Sequence, residues 1–378
     1  MLYTPAFWAL FAANLTTVAS FAAFFLFPLF ITEHGGGEGE IGLVMGVFAL
    51  ASTLSRPWVA ELIDRFGRKK SYCLGALFMA VLPLAYLPFL NGIAYAPLLL
   101  LRAAHGVALA ICFTAVFTYV ADLIPPERLN EGIGIFGISG LTGLAIGPLL
   151  AEGVLRRFGF PSFFLLSAAL AGLAFFLVLP LRENEPAGKI RSRHSFFALL
   201  RQRKFLVVAG LSILFGFGLA ATGNFVAPLA EERGIPVISI FFLAYSAAAI
   251  GIRLIGGRLT DRIGESRMLP YALVVSAAGI LTLTLVTGTL TLALAGLLAG
   301  CGHGLLFPVL NTLAVRGEPF EVRGKATGIF TGSIDAGTFL GSFLLGLVGD
   351  MAGLSPLFAV AGAALLLGLA LARFRPTA

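Results

Sequence analysis

The chain has 378 residues, of which 58% are hydrophobic and only 12% are charged, and its mean hydropathy is +0.96. A water-soluble protein carries roughly 25% charged residues because its surface must be hydrated. This composition excludes a soluble globular protein and predicts an integral membrane protein. The net charge of +7 does not indicate nucleic-acid binding, because the basic residues form short clusters between apolar runs.

Apolar runs long enough to cross a bilayer, which takes about 20 residues, occur twelve times along the chain. Because the runs are long and do not alternate, they predict helices and not barrel strands. The first run has no basic leader and is too long for a cleaved signal peptide, so we interpret it as a span. The predicted spans are 6–32, 41–60, 72–90, 95–121, 132–155, 161–181, 205–230, 237–257, 268–287, 289–315, 325–349 and 354–372.

Lysine and arginine residues are concentrated in alternate loops of this predicted topology. Cytoplasmic loops of membrane proteins carry such an excess. With the N-terminus inside, only Arg156, Arg157 and Arg233 fall in outer loops. We therefore predict a multi-pass protein of the cell (inner) membrane with both termini in the cytoplasm.

One long polar loop divides the predicted spans into two sets of six. It covers 182–204 and separates a first bundle, 1–181, from a second bundle, 205–378. Its stretch Phe196 to Leu200 is amphipathic and fits either a helix on the inner membrane surface or a solvated linker.

The two halves of the chain repeat one another. The segment Arg56 to Gly67 matches Arg253 to Gly264, with 197 positions between the first residues and also between the last. Nearly constant offsets over three helix pairs indicate two parallel six-helix repeats, related by an axis along the membrane normal. Further matches pair His105 with His303 at an offset of 198, and Ser139, Gly143 and Gly147 with Ser333, Gly337 and Gly341 at 194.

The repeated segments resemble motifs of the major facilitator superfamily, and the resemblance covers the whole chain. Two of them resemble its inner-loop signature: Arg56-Pro followed by Asp64-Arg65-Phe-Gly67-Arg68-Lys69-Lys70, and its echo Gly257-Arg-Leu-Thr-Asp261-Arg262-Ile-Gly264. Arg102-Ala-Ala-His-Gly106 in span four is similar to a motif of proton-coupled members. Gly143-Leu-Ala-Ile-Gly147-Pro148 in span five is similar to a motif of antiporters.

This resemblance implies an all-α membrane protein with twelve transmembrane helices, most like the twelve-span drug:proton antiporters, working by alternating access. Two departures from the family pattern are visible. Ala60 stands where the first inner-loop motif has its leading glycine, and Ala151-Glu152 replaces two glycines that follow Gly-Pro in span five. The second departure weakens the assignment to the antiporter group.

The duplicated inner-loop motif predicts a cytoplasmic gate. A carboxylate at the inner end of a span pairs with an arginine of the following loop, or receives the N-terminus of a neighbouring helix. Glycine permits the tight turn into the next helix. The alternative is an ordinary turn with basic anchoring residues. The gate residues are Arg56, Asp64, Arg65, Gly67, Arg68, Arg253, Gly257, Asp261, Arg262 and Gly264.

Ionisable residues inside the spans mark a candidate transport site, because each costs roughly 2.5–3.5 kcal/mol at the bilayer centre. Asp335 lies near the middle of span eleven and is the candidate proton carrier, with a polar helix contact as the alternative. Arg102 lies in the outer half of span four, and His105 lies about one turn deeper. His105 and its equivalent His303 fit a proton relay, a substrate contact or plain core residues.

Other polar side chains in the spans complete the candidate set. Glu152 lies near the outer end of span five and is either a coupling residue or a partner of Arg156. Asn14, Asn224 and Asn311 are candidate substrate contacts. The many phenylalanines of the spans suit an amphipathic or aromatic solute better than a sugar.

These features predict a secondary active transporter, with proton-coupled efflux of small organic molecules as the leading interpretation. An importer or uniporter of a small metabolite on the same fold is the alternative, followed by a lipid-handling protein or a non-transporting sensor. We expect no enzyme, because nucleophile–base, HExxH and Walker motifs are missing from the sequence. We expect a monomer that uses a proton gradient, no cofactor and no metal, with a small solute, protons and the bilayer as partners.

Overall fold

A computed structural model of the protein describes residues 3–125, 128–183 and 196–374. Within these ranges the chain is helical and forms no strand, which confirms the all-α prediction. The backbone alone is described at 129–130, 196–197, 255–262, 320–321 and 374.

The N-terminal half consists of α-helices joined by short turns. A 3-10 turn, Phe24–Leu26, lies between the first two helices, and a 3-10 helix, Leu82–Asn91, follows the fourth. The helices are α1 (Pro5–Ala23), α2 (Phe27–Glu33), α3 (Glu38–Phe66), α4 (Arg68–Val81), α5 (Tyr95–Leu123) and α6 (Leu129–Val178).

The C-terminal half has the same plan, preceded by a short helix. A 3-10 helix, Leu283–Leu285, follows α11, and another, Ala372–Phe374, ends the described chain. The helices are α7 (Phe196–Leu200), α8 (Arg203–Asn224), α9 (Val226–Glu232), α10 (Ser239–Ile263), α11 (Glu265–Thr282), α12 (Thr289–Val315), α13 (Phe320–Ala352) and α14 (Leu354–Leu371).

Ten helical segments of the described chain are long and apolar enough to cross a membrane. One of them lies in α6, which holds two predicted spans. Between those spans the backbone leaves the helical region at Gly159 (φ 73°, ψ −176°), a conformation that glycine adopts easily. The predicted span 237–257 corresponds to α10, whose described apolar part, Ser239–Leu254, is shorter. A multi-pass helical membrane protein is thus confirmed, while twelve spans and cytoplasmic termini stay predictions.

Each half interrupts its first span just before a proline. The helix α1 ends at Ala23, and α2 begins one residue before Pro28. The helix α8 ends at Asn224, and α9 begins two residues before Pro228. Proline has no N–H to donate and clashes with the carbonyl four residues back, which accounts for both breaks.

The helices group into two compact units. The first unit comprises Met1–Gly35 and Val47–Ala187, and the second comprises Gly36–Gly46 and Gly188–Ala378. The helix α3 therefore belongs to the second unit at its N-terminal end and to the first unit along the rest of its length. The predicted bundle boundary at 182–204 stays a prediction.

Close helix pairs form the interior of both units. In the first unit α1 packs along α6, and in the second α8 packs along α13. A Cβ atom on Gly143 or Gly147 would lie 2.7 or 2.3 Å from a backbone oxygen of α1, and one on Gly337 would lie 2.1 Å from a backbone oxygen of α8. These glycines, with Pro148 buried beside them in α6, therefore allow the close approach of the paired helices.

The amphipathic stretch Phe196 to Leu200 forms α7 and packs on the second unit. Leu199 is buried against Phe205 and Ala209 of α8 and Ala326 of α13. Leu199 therefore anchors the end of this short helix to the second unit.

Candidate transport site

A fully enclosed arginine lies in the interior of the first unit. The Arg102 side chain, on α5, is 1% exposed, and its guanidinium lies over the rings of Phe48 (4.6 Å to the ring centre), Phe24 (5.4 Å) and Phe27 (5.5 Å). The hydroxyl of Tyr86 hydrogen-bonds to the guanidinium. Aromatic faces attract a cation, and more strongly where water is excluded. These rings and the phenol therefore offset the cost of burying the charge.

His105 lies on the same face of α5 as Arg102 and joins this cluster. Its Nδ1 is 3.4 Å from the Tyr86 hydroxyl, and its ring meets the edge of Phe24 at 4.8 Å. A Cβ atom on the next residue, Gly106, would lie 2.2 Å from the carbonyl oxygen of Phe48. Glycine at this position thus lets α3 approach α5 and brings the Phe48 ring over the guanidinium.

The second unit contains a cluster of similar composition. The Nη2 atom of Arg253, on α10, lies 3.5 Å from Nε2 of His303 on α12, and its guanidinium lies over the ring of Phe307 at 5.2 Å. Nδ1 of His303 is 2.6 Å from the hydroxyl of Tyr245. Because the guanidinium can only donate, Nε2 accepts and the proton of a neutral His303 is on Nδ1, which donates to Tyr245. The sequence assigned Arg253 to the gate, and the structure places it beside His303.

A small cavity of about 20 Å³ adjoins the Tyr245–His303 pair inside the second unit. Side chains from α8, α10, α11, α12 and α14 line it, so it lies in the middle of the helix bundle. Its walls combine aromatic and aliphatic groups with a few hydroxyls and one imidazole. The lining residues are Phe215, Gly218, Leu219, Thr222, Tyr245, Ser276, Ile280, Ala299, His303 and Leu365.

The candidate asparagines have different surroundings. Asn14 donates to the Ser139 hydroxyl at 2.7 Å, and Asn224 donates to the Ser342 hydroxyl at 2.7 Å. Both bonds are buried and join the paired helices α1 and α6, or α8 and α13, so these amides fix helix packing. Asn311 is half-buried on α12, and its Oδ1 has no hydrogen-bond partner among the described atoms.

The two acidic candidates lie in different environments. Glu152 is buried on α6 and pairs with Arg156, whose Nη2 and Nε lie 2.9 and 3.0 Å from its Oε1. Asp335 is half-buried near the middle of α13, within the second unit. Glu152 is therefore already engaged with a cation on its own helix.

The first inner-loop motif forms an ion-pair cluster at the start of α4. The Nε atom of Arg68 donates to Asp122 at 3.0 Å, whereas its Nη1 reaches Asp64 only at 4.0 Å. Arg65 pairs with Glu61 on the exposed face of α3. The main partner of the motif arginine is therefore Asp122 at the end of α5, and the motif aspartate contributes a weaker contact.

Glu183 caps the helix that this motif begins. Its two carboxylate oxygens accept hydrogen bonds from the backbone N–H groups of Lys69 and Lys70, each at 3.0 Å. A carboxylate at a helix N-terminus is favourable because the first N–H groups have no partner within the helix. Gly67 makes room: its φ is +93°, and a Cβ atom there would lie 2.5 Å from Glu183.

The second inner-loop motif has the opposite charge order. Glu265 occupies the position of Arg68 at an offset of 197 and pairs with Arg316 at the end of α12. Gly264 has a φ of +83°, like Gly67. The other proposed gate residues of this motif, Gly257, Asp261 and Arg262, lie in α10, and their side chains lie outside the described part of the chain. Arg56, the first residue of the first motif, is half-buried on α3.

Sequence reasoning missed six residues of these clusters. Asp122 and Glu183 are far from Arg68 in the chain, and no local pattern marks them. The repeat register does carry a signal for others, because Tyr245 corresponds to Phe48, and Glu265 to Arg68, at the offset of 197. The missed residues are Tyr86, Asp122, Glu183, Tyr245, Glu265 and Arg316.

Known proteins share both the sequence and the fold. The sequence profile of the Major Facilitator Superfamily matches residues 9–316 and 208–378. A multidrug resistance protein MdtG of Enterobacter lignolyticus is 27% identical over 88% of this chain and 81% of its own. Multidrug resistance protein 2 of Bacillus subtilis is 26% identical over 91% and 88%. The crystal structure of the nucleoside transporter NupG has a similar fold, with a TM-score of 0.77 over 98% of this chain and 99% of its own, at 16% identity.

The profile match extends over nearly the whole chain and confirms the resemblance drawn from the motifs. The relatives and the structure of similar fold are transporters and not enzymes, which agrees with the expectation of no enzyme. The chain therefore belongs to the major facilitator superfamily of membrane transporters.

Proposed function

We propose that the chain is a secondary active transporter that exports small amphipathic organic molecules in exchange for protons, by alternating access. The observation that carries this proposal is the Arg253–His303–Tyr245 cluster beside a cavity inside the second unit. Charged groups inside a membrane protein are costly and mark transport pathways. The similarity to two proteins named for multidrug resistance supports the direction of transport.

The lining of the cavity supports an amphipathic solute. Phe215, Leu219 and Leu365 offer apolar walls, while Tyr245 and Thr222 add hydroxyls. A sugar needs many hydrogen-bond partners, and this lining offers few. A solute with an aromatic or aliphatic body and one or two polar groups therefore suits the lining.

Asp335 is the proposed proton carrier. A carboxylate within the membrane binds a proton when its surroundings are dry and releases it when a cation or water approaches. Protonating His303 instead would place a second positive charge 3.5 Å from the Arg253 guanidinium, which is unfavourable. Glu152 lies near the predicted outer end of its span, whereas Asp335 lies near the middle of α13. This position favours Asp335 as the group that meets each side of the membrane in turn.

Reconstituted vesicles with an imposed pH gradient test this function. We expect a panel of amphipathic cations, anions and neutral aromatic molecules to include solutes that exchange for protons, with solute and proton fluxes in opposite directions. Asp335→Asn is expected to abolish the proton flux. The matched control, Glu232→Gln at the exposed end of α9, is expected to keep it.

The second candidate is an importer or uniporter of a small metabolite, which the fold shared with a nucleoside transporter keeps open. The same vesicles separate these functions. A uniporter ignores the pH gradient, and a symporter moves solute and protons in one direction. Either result would overturn the proposal of antiport.

A further inference from the structure

His34 contacts two backbone carbonyls with its two ring nitrogens. It follows α2 directly, and its Nδ1 lies 2.8 Å from the carbonyl oxygen of Phe30, one turn back in that helix. Its Nε2 lies 3.2 Å from the carbonyl oxygen of Leu90, at the end of the 3-10 helix Leu82–Asn91. The imidazole therefore lies between two hydrogen-bond acceptors that belong to different spans of the first unit.

The protonation state of this imidazole decides how many of these bonds can form. A neutral imidazole has one N–H group and can donate to only one of the two oxygens, whereas an imidazolium donates to both. An N–H from a charged group also forms a stronger hydrogen bond than a neutral one. The geometry at His34 is thus fully satisfied only in the protonated form.

Arg233 occupies the corresponding place in the second unit. It follows α9 as His34 follows α2, at an offset of 199. Its guanidinium donates to the carbonyl oxygens of Leu283 and Thr284, each at 3.2 Å, and to that of Val286. These carbonyls end the span of α11, as Leu90 ends the span of α4. Arginine is always charged and has five N–H donors, so this second contact is permanent.

We propose that His34 is a proton-binding site whose protonated form clamps the end of α2 to the 3-10 helix Leu82–Asn91. Loss of the proton removes one of the two hydrogen bonds and loosens the clamp, while Arg233 holds the equivalent place in the second unit at every pH. The role of this clamp in transport rests on the proposed proton coupling, because both residues lie on the predicted outer side, where an antiporter takes up its protons.

Ionisable groups near His34 among the described residues come from three elements of the first unit. Its own helix contributes Glu33, at the adjacent position, and the 3-10 helix contributes Tyr86, whose hydroxyl faces Arg102 and His105. Phe30, whose ring contacts His34, also contacts Phe160 of the helix α6. About one turn before Phe160, α6 carries Arg157 and Arg156, and Arg156 pairs with Glu152.

Hydrogen–deuterium exchange of the full-length protein in lipid nanodiscs tests the clamp without any substrate. Peptides covering 27–35 and 82–92 are compared at about pH 5 and about pH 8, the range over which histidines change charge, with exchange times scaled to equal chemical rates. We expect about tenfold greater protection at the lower pH, the effect of one charge-assisted hydrogen bond. H34R is expected to stay protected, and H34Q exposed, at both pH values.

Two further variants complete the test. E33Q removes the neighbouring carboxylate and is expected to leave the pH dependence intact. R233H is expected to confer the same pH dependence on the peptide covering 283–288. Equal protection of the wild type at both pH values, or pH dependence that persists in H34Q, would overturn the proposal. Because exchange is measured without a gradient or solute, this outcome is independent of whether transport is proton-coupled.

Discussion

Each unit brings together an arginine, a histidine and a tyrosine, but the two units distribute these residues over different helices. In the first unit Arg102 and His105 share α5. In the second unit His303 keeps the equivalent position on α12, while Arg253 lies on α10. The two clusters thus share their composition and the place of the histidine, but their arginines are not equivalent, because the repeat pairs Arg253 with Arg56 and not with Arg102.

The two clusters also differ in how completely they are enclosed. Three phenylalanine rings and a tyrosine hydroxyl surround Arg102, which is 1% exposed. Arg253 is half-buried and has one ring over it, and its partners Tyr245 and His303 line a cavity. We infer that the first cluster holds its bundle together and that the second contacts the solute.

Removing the two arginines is the strongest test of this contrast. Arg102→Ala leaves an empty, enclosed site and a buried Tyr86 hydroxyl that loses its partner, so we expect a loss of about 3 kcal/mol of stability. Arg253→Ala is expected to cost less stability and to impair transport more. Thermal unfolding in detergent measures stability, and vesicle flux measures transport.

A variant with a side chain of similar size separates the effect of the space left by Arg102→Ala from the effect of the lost charge. Arg102→Met restores most of the side-chain volume without the charge, so it is expected to recover part of the lost stability. Equal destabilisation by Arg102→Ala and Arg253→Ala would contradict the distinction between an enclosed cluster and one that contacts the solute.

The inner-loop glycines extend the comparison to the predicted cytoplasmic side. Alanine at Gly67 or Gly264 is strained by the positive φ, at a cost of about 1–2 kcal/mol. At Gly67 the new methyl group also displaces Glu183 from the first turn of α4, which adds about 1 kcal/mol. At Gly264 no atom lies within 4 Å of the added Cβ among the described residues. We therefore expect Gly67→Ala to be the more destabilising substitution in thermal unfolding.

The substitution Glu183→Gln tests how much the Glu183 cap contributes to the expected difference in stability between the two glycine variants. With a neutral cap, the Lys69 and Lys70 amides are expected to exchange faster, while the start of α11 is unchanged. If Gly264→Ala proves as costly as Gly67→Ala, then the contact with Glu183 contributes nothing to stability.

The sequence alone predicted the helical membrane fold, because the length and polarity of its runs depend only on the solvent around each helix. It also placed His105 about one turn deeper than Arg102 in the same span, because one helical turn takes 3.6 residues. The sequence alone did not predict contacts between segments that are distant in the chain. Neither the pairing of Arg68 with Asp122 nor the Glu183 cap follows from any local pattern, because both depend on how helices pack.

Removing single hydroxyls separates structural from solute-contacting tyrosines. Tyr245→Phe deletes the hydroxyl that bonds His303 beside the cavity, and we expect KM to rise about tenfold with little change in unfolding temperature. Tyr86→Phe deletes a bond to the enclosed Arg102 and is expected to lower stability more than it changes KM. A larger rise in KM for Tyr86→Phe would reverse the roles given to the two clusters.

The smallest expected effect concerns a feature in which the two units agree. Asn14 donates to Ser139 and Asn224 donates to Ser342, both at 2.7 Å, and each serine donates onward at 2.6 Å to a carbonyl of its own helix. Buried polar bonds between membrane helices contribute about 0.6 kcal/mol on average. Double-mutant cycles with alanine should therefore give the same small coupling energy in both units, measured by unfolding in mixed detergent. Coupling energies that differ severalfold would mean that one asparagine meets the solute as well as its helix partner.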